Sequence, residues 1–194
     1  PPTGSVALDS FQPTPPGDVF TGVPGPFIGG HLVFRAGMTL DHADQPLVRT
    51  MDGAKSAVVS HQTFLHTGVS MAFADRALVS LMMPVAVSQC GDDPEVGKVR
   101  LRSPKGAEAG DLRLGLRFRV AGGERDPAQL AVGFYLHVPT GAAHSYVSDQ
   151  AVRLQPQLSF GGRGSSLVWG LTLGGDIRGN GNPSAMTGGF GAGA

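Results

Sequence analysis

The chain of 194 residues carries 15 basic and 15 acidic side chains, so no charge excess draws it to nucleic acid or to an anionic surface. Only 15% of its residues are charged, against roughly a quarter in an ordinary soluble domain, while 41% are hydrophobic. Its 30 glycines have no three-residue period, which excludes collagen, and the single cysteine, Cys90, excludes an internal disulfide framework and any cysteine-based zinc site.

No stretch approaches the ~18 uninterrupted apolar residues of a transmembrane helix. Few charges without an apolar helix point to a membrane β-barrel, which hides its hydrophobicity by alternating it, one residue out and one in. The start, Pro1-Pro2-Thr3-Gly4, lacks the features of a signal peptide, so any such peptide is expected to have been removed. Residues 1–26 read as an N-terminal periplasmic segment, and 27–194 as the barrel.

Period-two alternation separates a two-faced strand from a helix. It first appears in His31–Asp41, where Leu32, Phe34, Ala36, Met38 and Leu40 oppose Arg35, Thr39 and Asp41. Val59–Phe73 sets Val59, Leu65, Val69, Met71 and Phe73 against Ser60, Gln62, His66 and Ser70, with Phe64 intruding on the polar side. Ala77–Val87 puts Val79, Leu81, Met83, Val85 and Val87 outward; Pro84 cannot donate to a ladder, so a bulge or edge is expected there.

Asp111–Val120 is the sharpest run, with Leu112, Leu114, Leu116, Phe118 and Val120 against Arg113, Gly115, Arg117 and Arg119. Leu130–Val138 opposes its aliphatics to Tyr135 and His137. In the next run Val152, Leu154, Leu158 and Phe160 oppose Arg153, Gln155 and Gln157. Leu167, Trp169, Leu171 and Leu173 form a seventh strand, and Met186–Ala194 a glycine-diluted eighth. No segment requires a helix.

The connections alternate in length. Ala43–Ser56, Gln89–Gly110 and Pro139–Ala151 are long, whereas the links around Asp75, at Ala121–Ala128 and at Gly161–Ser166 are shorter. Outer-membrane barrels segregate long outer loops from tight periplasmic turns in this way. The expected fold is therefore all-β: an antiparallel transmembrane up-and-down β-barrel of eight strands, or the first part of a larger one. The last residues, Gly191-Ala192-Gly193-Ala194, lack the terminal aromatic common in bacterial barrels, which is the reason for the second form.

Several runs carry a family resemblance. Asp9-Ser10-Phe11-Gln12-Pro13-Thr14-Pro15-Pro16-Gly17-Asp18, Gly37-Met38-Thr39-Leu40-Asp41-His42-Ala43 with Pro46-Leu47, and Met83-Pro84-Val85-Ala86-Val87 with Gln89 are three of them. Ala109-Gly110-Asp111-Leu112-Arg113-Leu114-Gly115 and Leu136-His137-Val138-Pro139-Thr140-Gly141 complete the set. Across about Phe11 to Gly174 the chain resembles the N-terminal barrel region of OmpA-family outer-membrane proteins of myxobacteria and related deltaproteobacteria. The resemblance implies a bacterial outer-membrane location with a structural, porin-like or cell-surface interaction role. It implies no catalytic residue, and no OmpA-like peptidoglycan-binding domain lies within these residues.

The polar faces give the lumen-facing candidates: Arg35, Arg113, Arg117, Arg119, Tyr135, His137, Arg153, Gln155 and Gln157. Arginine rings favour anions and would line a porin-like diffusion channel. In a barrel as small as eight strands side chains fill the interior, and the arginines pair with inward acids such as Asp41. A third alternative is a soluble β-sandwich binding module, its apolar faces packed on each other.

Other chemistry is weaker. The acidic run Gly91-Asp92-Asp93-Pro94-Glu95 offers oxygen ligands without EF-hand spacing. His61 and His66 fall on opposite faces of one strand, and His42 and His144 sit near two different loops. His144-Ser145, and His66 with Ser70, supply hydrolase residue types without a nucleophile motif. Cys90 reads as an unpaired thiol. No enzyme, cofactor or metal is expected. The expected partners are outer-membrane lipid and, through the loops, another envelope or cell-surface protein.

Overall fold

A computed structural model of the chain describes residues 11–51, 54–91, 95–96, 99–100, 106–141, 147–179 and 184–194. They form an all-β structure without helices among the described residues. The strands are β1 (Val33–Met51), β2 (Ala54–Phe73), β3 (Ala77–Cys90), the short β4 (Glu95–Val96), β5 (Val99–Arg100) and β6 (Glu108–Ala109), then β7 (Leu112–Ala121), β8 (Gln129–Val138), β9 (Arg153–Arg163), β10 (Val168–Arg178) and β11 (Ala185–Gly193).

The eight long strands form one curled antiparallel sheet, a half-barrel in the order β1-β2-β3-β7-β8-β9-β10-β11, with β6 paired to β3 and β4–β5 a separate hairpin. Each long strand follows its sequence neighbour, as an up-and-down meander requires. The sandwich alternative needs two sheets face to face, and a single sheet path does not provide them.

The alternation seen in the sequence sorts residues between the two faces of this sheet. On the convex face Leu114, Leu116, Phe118 and Val120 of β7, Val132 and Phe134 of β8, Leu154, Leu158 and Phe160 of β9, and Leu171, Leu173 and Ile177 of β10 are exposed. The alternate positions, including Arg113, Arg117, Arg119, Tyr135, His137, Arg153 and Gln155, are buried on the concave side. Among the described residues, the clusters of buried apolar side chains are small and lie on the inner side: Ile28 with Ala72 and Leu78, and Phe64 with Ala86 and Val147. The sheet is thus inverted relative to a water-soluble core, greasy outside and polar within.

One expectation about the connections changes. Ala43–Ser56 is not a loop: β1 runs on to Met51 and β2 begins at Ala54, making one long hairpin. Register shifts between Asp44 and Val48, with Gln45 at φ 47°, reset the side-chain alternation and let the ladder pass Pro46. At Pro84 the β3–β7 pairing ends at Met82↔Arg113 and β3 takes up β6 instead at Val85↔Ala109. The bulge on the other side of β3 falls nearby, where Thr63↔Ser88 is followed by Phe64↔Ala86 and Val87 is left over.

Of the segment set apart as 1–26, residues 11–26 lie on the concave face, and 27–32 lead from there into β1. Gly30 accepts from the Asp75 N–H at 3.0 Å and donates to the Asp75 carboxylate at 2.7 Å, fixing this strap at the short-turn end of the sheet. Asp92–Pro94, His144 and Ser145 lie outside the described residues.

Candidate functional site

The concave face and the strap that fills it form the candidate site. The strap turns back at Pro16-Gly17, where the Thr14 N–H donates to the Thr21 carbonyl at 2.8 Å, and its Pro13, Pro15, Pro16, Pro24 and Pro26 fix φ and remove N–H donors while keeping carbonyl acceptors. The wall supplies the missing donors. Ser70 Oγ donates to the Pro16 carbonyl at 2.6 Å, Arg113 donates to the Pro13 carbonyl, and Thr172 Oγ1 to the Pro24 carbonyl. Arg35 donates to the Gly29 carbonyl at 2.7 Å. A chain rich in acceptors therefore meets a wall rich in donors.

One charge pair sits between them. Asp18 Oδ2 of the strap lies 2.8 Å from Arg117 Nη1, with the Asp18 side chain fully buried. Its other oxygen accepts the Val19 and Gly25 backbone N–H groups at 3.2 and 3.3 Å. Burial pushes the Asp18 carboxyl above the usual carboxylate range, against the pull of the Arg117 guanidinium and of these two N–H donors. Arg117 also donates to the Tyr135 hydroxyl at 3.1 Å, and the Arg113 guanidinium lies 4.8 Å from the centre of the Tyr135 ring.

A second network closes the end that carries the longer connections. Arg153 grips Asp176 through Nε and Nη2 at 3.2 and 3.0 Å and Asp149 through Nη1 at 2.8 Å. Arg178 adds a bond to Asp176 at 2.9 Å and an ion pair with Asp149 at 3.6 Å. Asp111 receives the Gly141 and Asp149 backbone N–H groups, tying that connection to the start of β7. His137 and Gln155 pair at 3.2 Å just inside.

The nine lumen candidates thus share the concave side. Arg35 and Gln157 are half-buried and the other seven buried. Arg119 binds the Asp75 carbonyl and Gln129, at the short-turn end. The acids that meet the arginines are Asp18, Asp149 and Asp176 rather than Asp41.

Among the described residues the concave side holds a cavity of about 60 Å³ between Phe11, His66, Arg113 and His137, and one of about 130 Å³ beside Gln155, Gln157 and Thr187. Among the described residues no three His, Cys, Asp or Glu side chains converge on one point as metal ligands.

Sequence reasoning missed Asp18 and the strap, although a signal for them exists in the inward glycines of the last strand. A Cβ on Gly191 would lie 2.9 Å from the Phe20 ring, and one on Gly189 would lie 3.1 Å from Val23. Those glycines make room for the strap. Compared with protein-family models, with curated proteins and with solved structures, the chain matches none.

Proposed function

We propose that this chain is an outer-membrane β-barrel, with a structural or cell-surface interaction role and an interior plugged by its own N-terminal strap. The observation that carries the reading is the inverted sheet. Its convex face offers rows of exposed Leu, Val, Phe and Ile, and its concave face buries five arginines' worth of polar contacts among Arg113, Arg117, Arg119, Arg153 and the half-buried Arg35. Water would leave the convex face unburied; hydrocarbon buries it at roughly 25 cal/mol per Å².

In hydrocarbon the edges of the sheet must also be satisfied, because no water is present to bond free N–H and C=O groups. The reading therefore includes closure of β1 onto β11. An even number of meandering strands makes these two antiparallel to each other. The strap already touches both: Arg35 of β1 through Gly29, and Gly189 and Gly191 of β11 through Val23 and Phe20.

Its role follows from what the fold exposes. With the interior occupied, transport is not the resting activity, and the longer connections at one end present the surface to other envelope components. A porin-like channel is the second reading, favoured by the arginines and by the residual cavities along the strap.

The test is folding into lipid vesicles. The proposal expects a protease-resistant, heat-modifiable species in vesicles, with no steady conductance in a planar bilayer. A monomer that stays folded in detergent-free buffer overturns the membrane reading, and a stable open level in the intact chain replaces the plugged form with the channel.

A further inference from the structure

The cavity of about 130 Å³ on the concave side lies between the strap and the last four long strands. Pro13 and Pro24 wall it on the strap side, and Tyr135, Gln155, Gln157 and Thr187 face them from β8, β9 and β11. Gln12 of the strap and Thr172 of β10 complete its polar border, and among the described residues no carboxylate lines it. The cation at its edge, Arg113, donates to the Pro13 carbonyl and lies against the Tyr135 ring.

These groups hold more hydrogen-bonding capacity than the described residues use. Gln155, only 6% exposed, pairs one end of its amide with His137 at 3.2 Å, and the other end has no partner among the described residues. The Tyr135 hydroxyl, also buried, accepts from Arg117 at 3.1 Å and keeps its own hydrogen to give. Gln12, Gln157 and Thr187 make no side-chain hydrogen bond among the described residues. Buried polar groups are ordinarily satisfied, so what Gln155 and Tyr135 leave unspent is met from within the cavity.

Size and lining define the occupant. A cavity of about 150 Å³ lined by apolar side chains holds a benzene ring, so this one admits a single six-membered ring. Here the lining is amide and hydroxyl, groups that both donate and accept, as the hydroxyls of a sugar do. The rings of Pro13 and Pro24 offer apolar contact to its C–H groups. A charged occupant would be desolvated against neutral amides.

We propose that this cavity binds an uncharged, polyhydroxylated six-membered ring, a neutral monosaccharide, through the amides of Gln155 and Gln157 and the hydroxyls of Tyr135 and Thr187. The site is built from the strap and the inner wall, so it stands whichever medium covers the convex face.

The experiment is a saturation-transfer NMR titration of the folded full chain, in a zwitterionic detergent free of sugar headgroups. D-Glucose is the probe, with D-glucuronate and protonated D-glucosamine as its anionic and cationic counterparts. Transfer to glucose is expected with a Kd on the order of a millimolar, the scale for a ligand of about twelve heavy atoms, and both charged sugars bind more weakly. Gln157→Leu keeps the side-chain bulk, removes both ends of the amide and weakens glucose binding about 2- to 10-fold. Thr187→Phe fills the space from the last strand and abolishes binding. Thr67→Val, on the convex face, leaves it unchanged, and Trp169 emission verifies that each variant is folded. An absence of transfer to glucose from the intact chain, transfer unaltered by both Gln157→Leu and Thr187→Phe, or tighter binding of either charged sugar overturns the proposal.

Discussion

Replacing Leu116 by arginine distinguishes a convex face covered by lipid from one covered by water. Leu116 is the middle outward residue of β7, paired with Phe134 of β8, and is 38% exposed in the isolated chain. Val120 lies four residues further along the same face and is 55% exposed. Four residues at about 3.4 Å each, on a strand tilted by roughly 40°, separate the two by about 10 Å in depth. The apolar band of such a barrel is about 25 Å tall, so Leu116 falls near its middle and Val120 near its margin.

An arginine at the midplane of a barrel costs about 2–4 kcal/mol, falling to about 0–1 kcal/mol at the interface. The expected gap between Leu116→Arg and Val120→Arg is therefore about 2–3 kcal/mol, or about 30- to 150-fold in the unfolding equilibrium. Reversible denaturant unfolding from lipid vesicles measures it, with Trp169, the chain's one tryptophan, as the fluorescent reporter. In a water-exposed face both substitutions are worth about 0.5 kcal/mol or less. Equal and near-zero costs at the two depths would refute the lipid-facing assignment.

Further substitutions test the interior. Asp18→Arg sets two guanidinium groups against each other in a buried position, so the strap is expected to leave the concave face; limited proteolysis within 11–28 and a new conductance level in planar bilayers report it. Arg153→Leu removes the more buried of the two arginines that hold Asp149 and Asp176, leaving Arg178, and costs up to about 3–5 kcal/mol in equilibrium unfolding. Arg178→Ala, whose side chain is 27% exposed, costs about 1 kcal/mol or less in the same assay. Gly115→Val places a Cβ 2.7 Å from the Tyr135 ring, and the displaced ring loosens its contacts with Arg113 and Arg117; about 1–3 kcal/mol is expected from thermal or denaturant melts.

The strand pattern was legible because each of its main runs obeys a single physical rule. Asp111–Val120 alternates without interruption and becomes β7 almost to the residue. Legibility fails where the rule is locally suspended. Beyond Ala43 the irregular pairing around Gln45 and Pro46 shifts the phase, so a paired stretch reads as a loop. Phe64 breaks the polar face of β2 because it packs inward against Ala86 and Val147, and Val147 arrives from a connection more than 80 residues away in sequence.

The site was half legible. Inward arginines announce themselves by spacing, whereas the strap has no periodicity: its conformation is set by prolines and its partners by the wall. Asp18 looks like any exposed turn residue until the Arg117 guanidinium is seen above it. Likewise His61 and Cys90 are 29 residues apart, and only the β2–β3 register makes them neighbours.

The strap precedes every strand in the chain, and this ordering bears on how the protein assembles. Hairpins such as β2–β3 and β9–β10 join residues close in sequence and form quickly, while the closure of β1 onto β11 that the proposed function includes would gather residues from opposite ends of the sheet. A proline-stiffened template synthesised first gives the later hairpins a common surface to wrap, shortening that search. In the proposed barrel, the residues that fill the interior would thus act earlier as a mandrel on which the wall is wound.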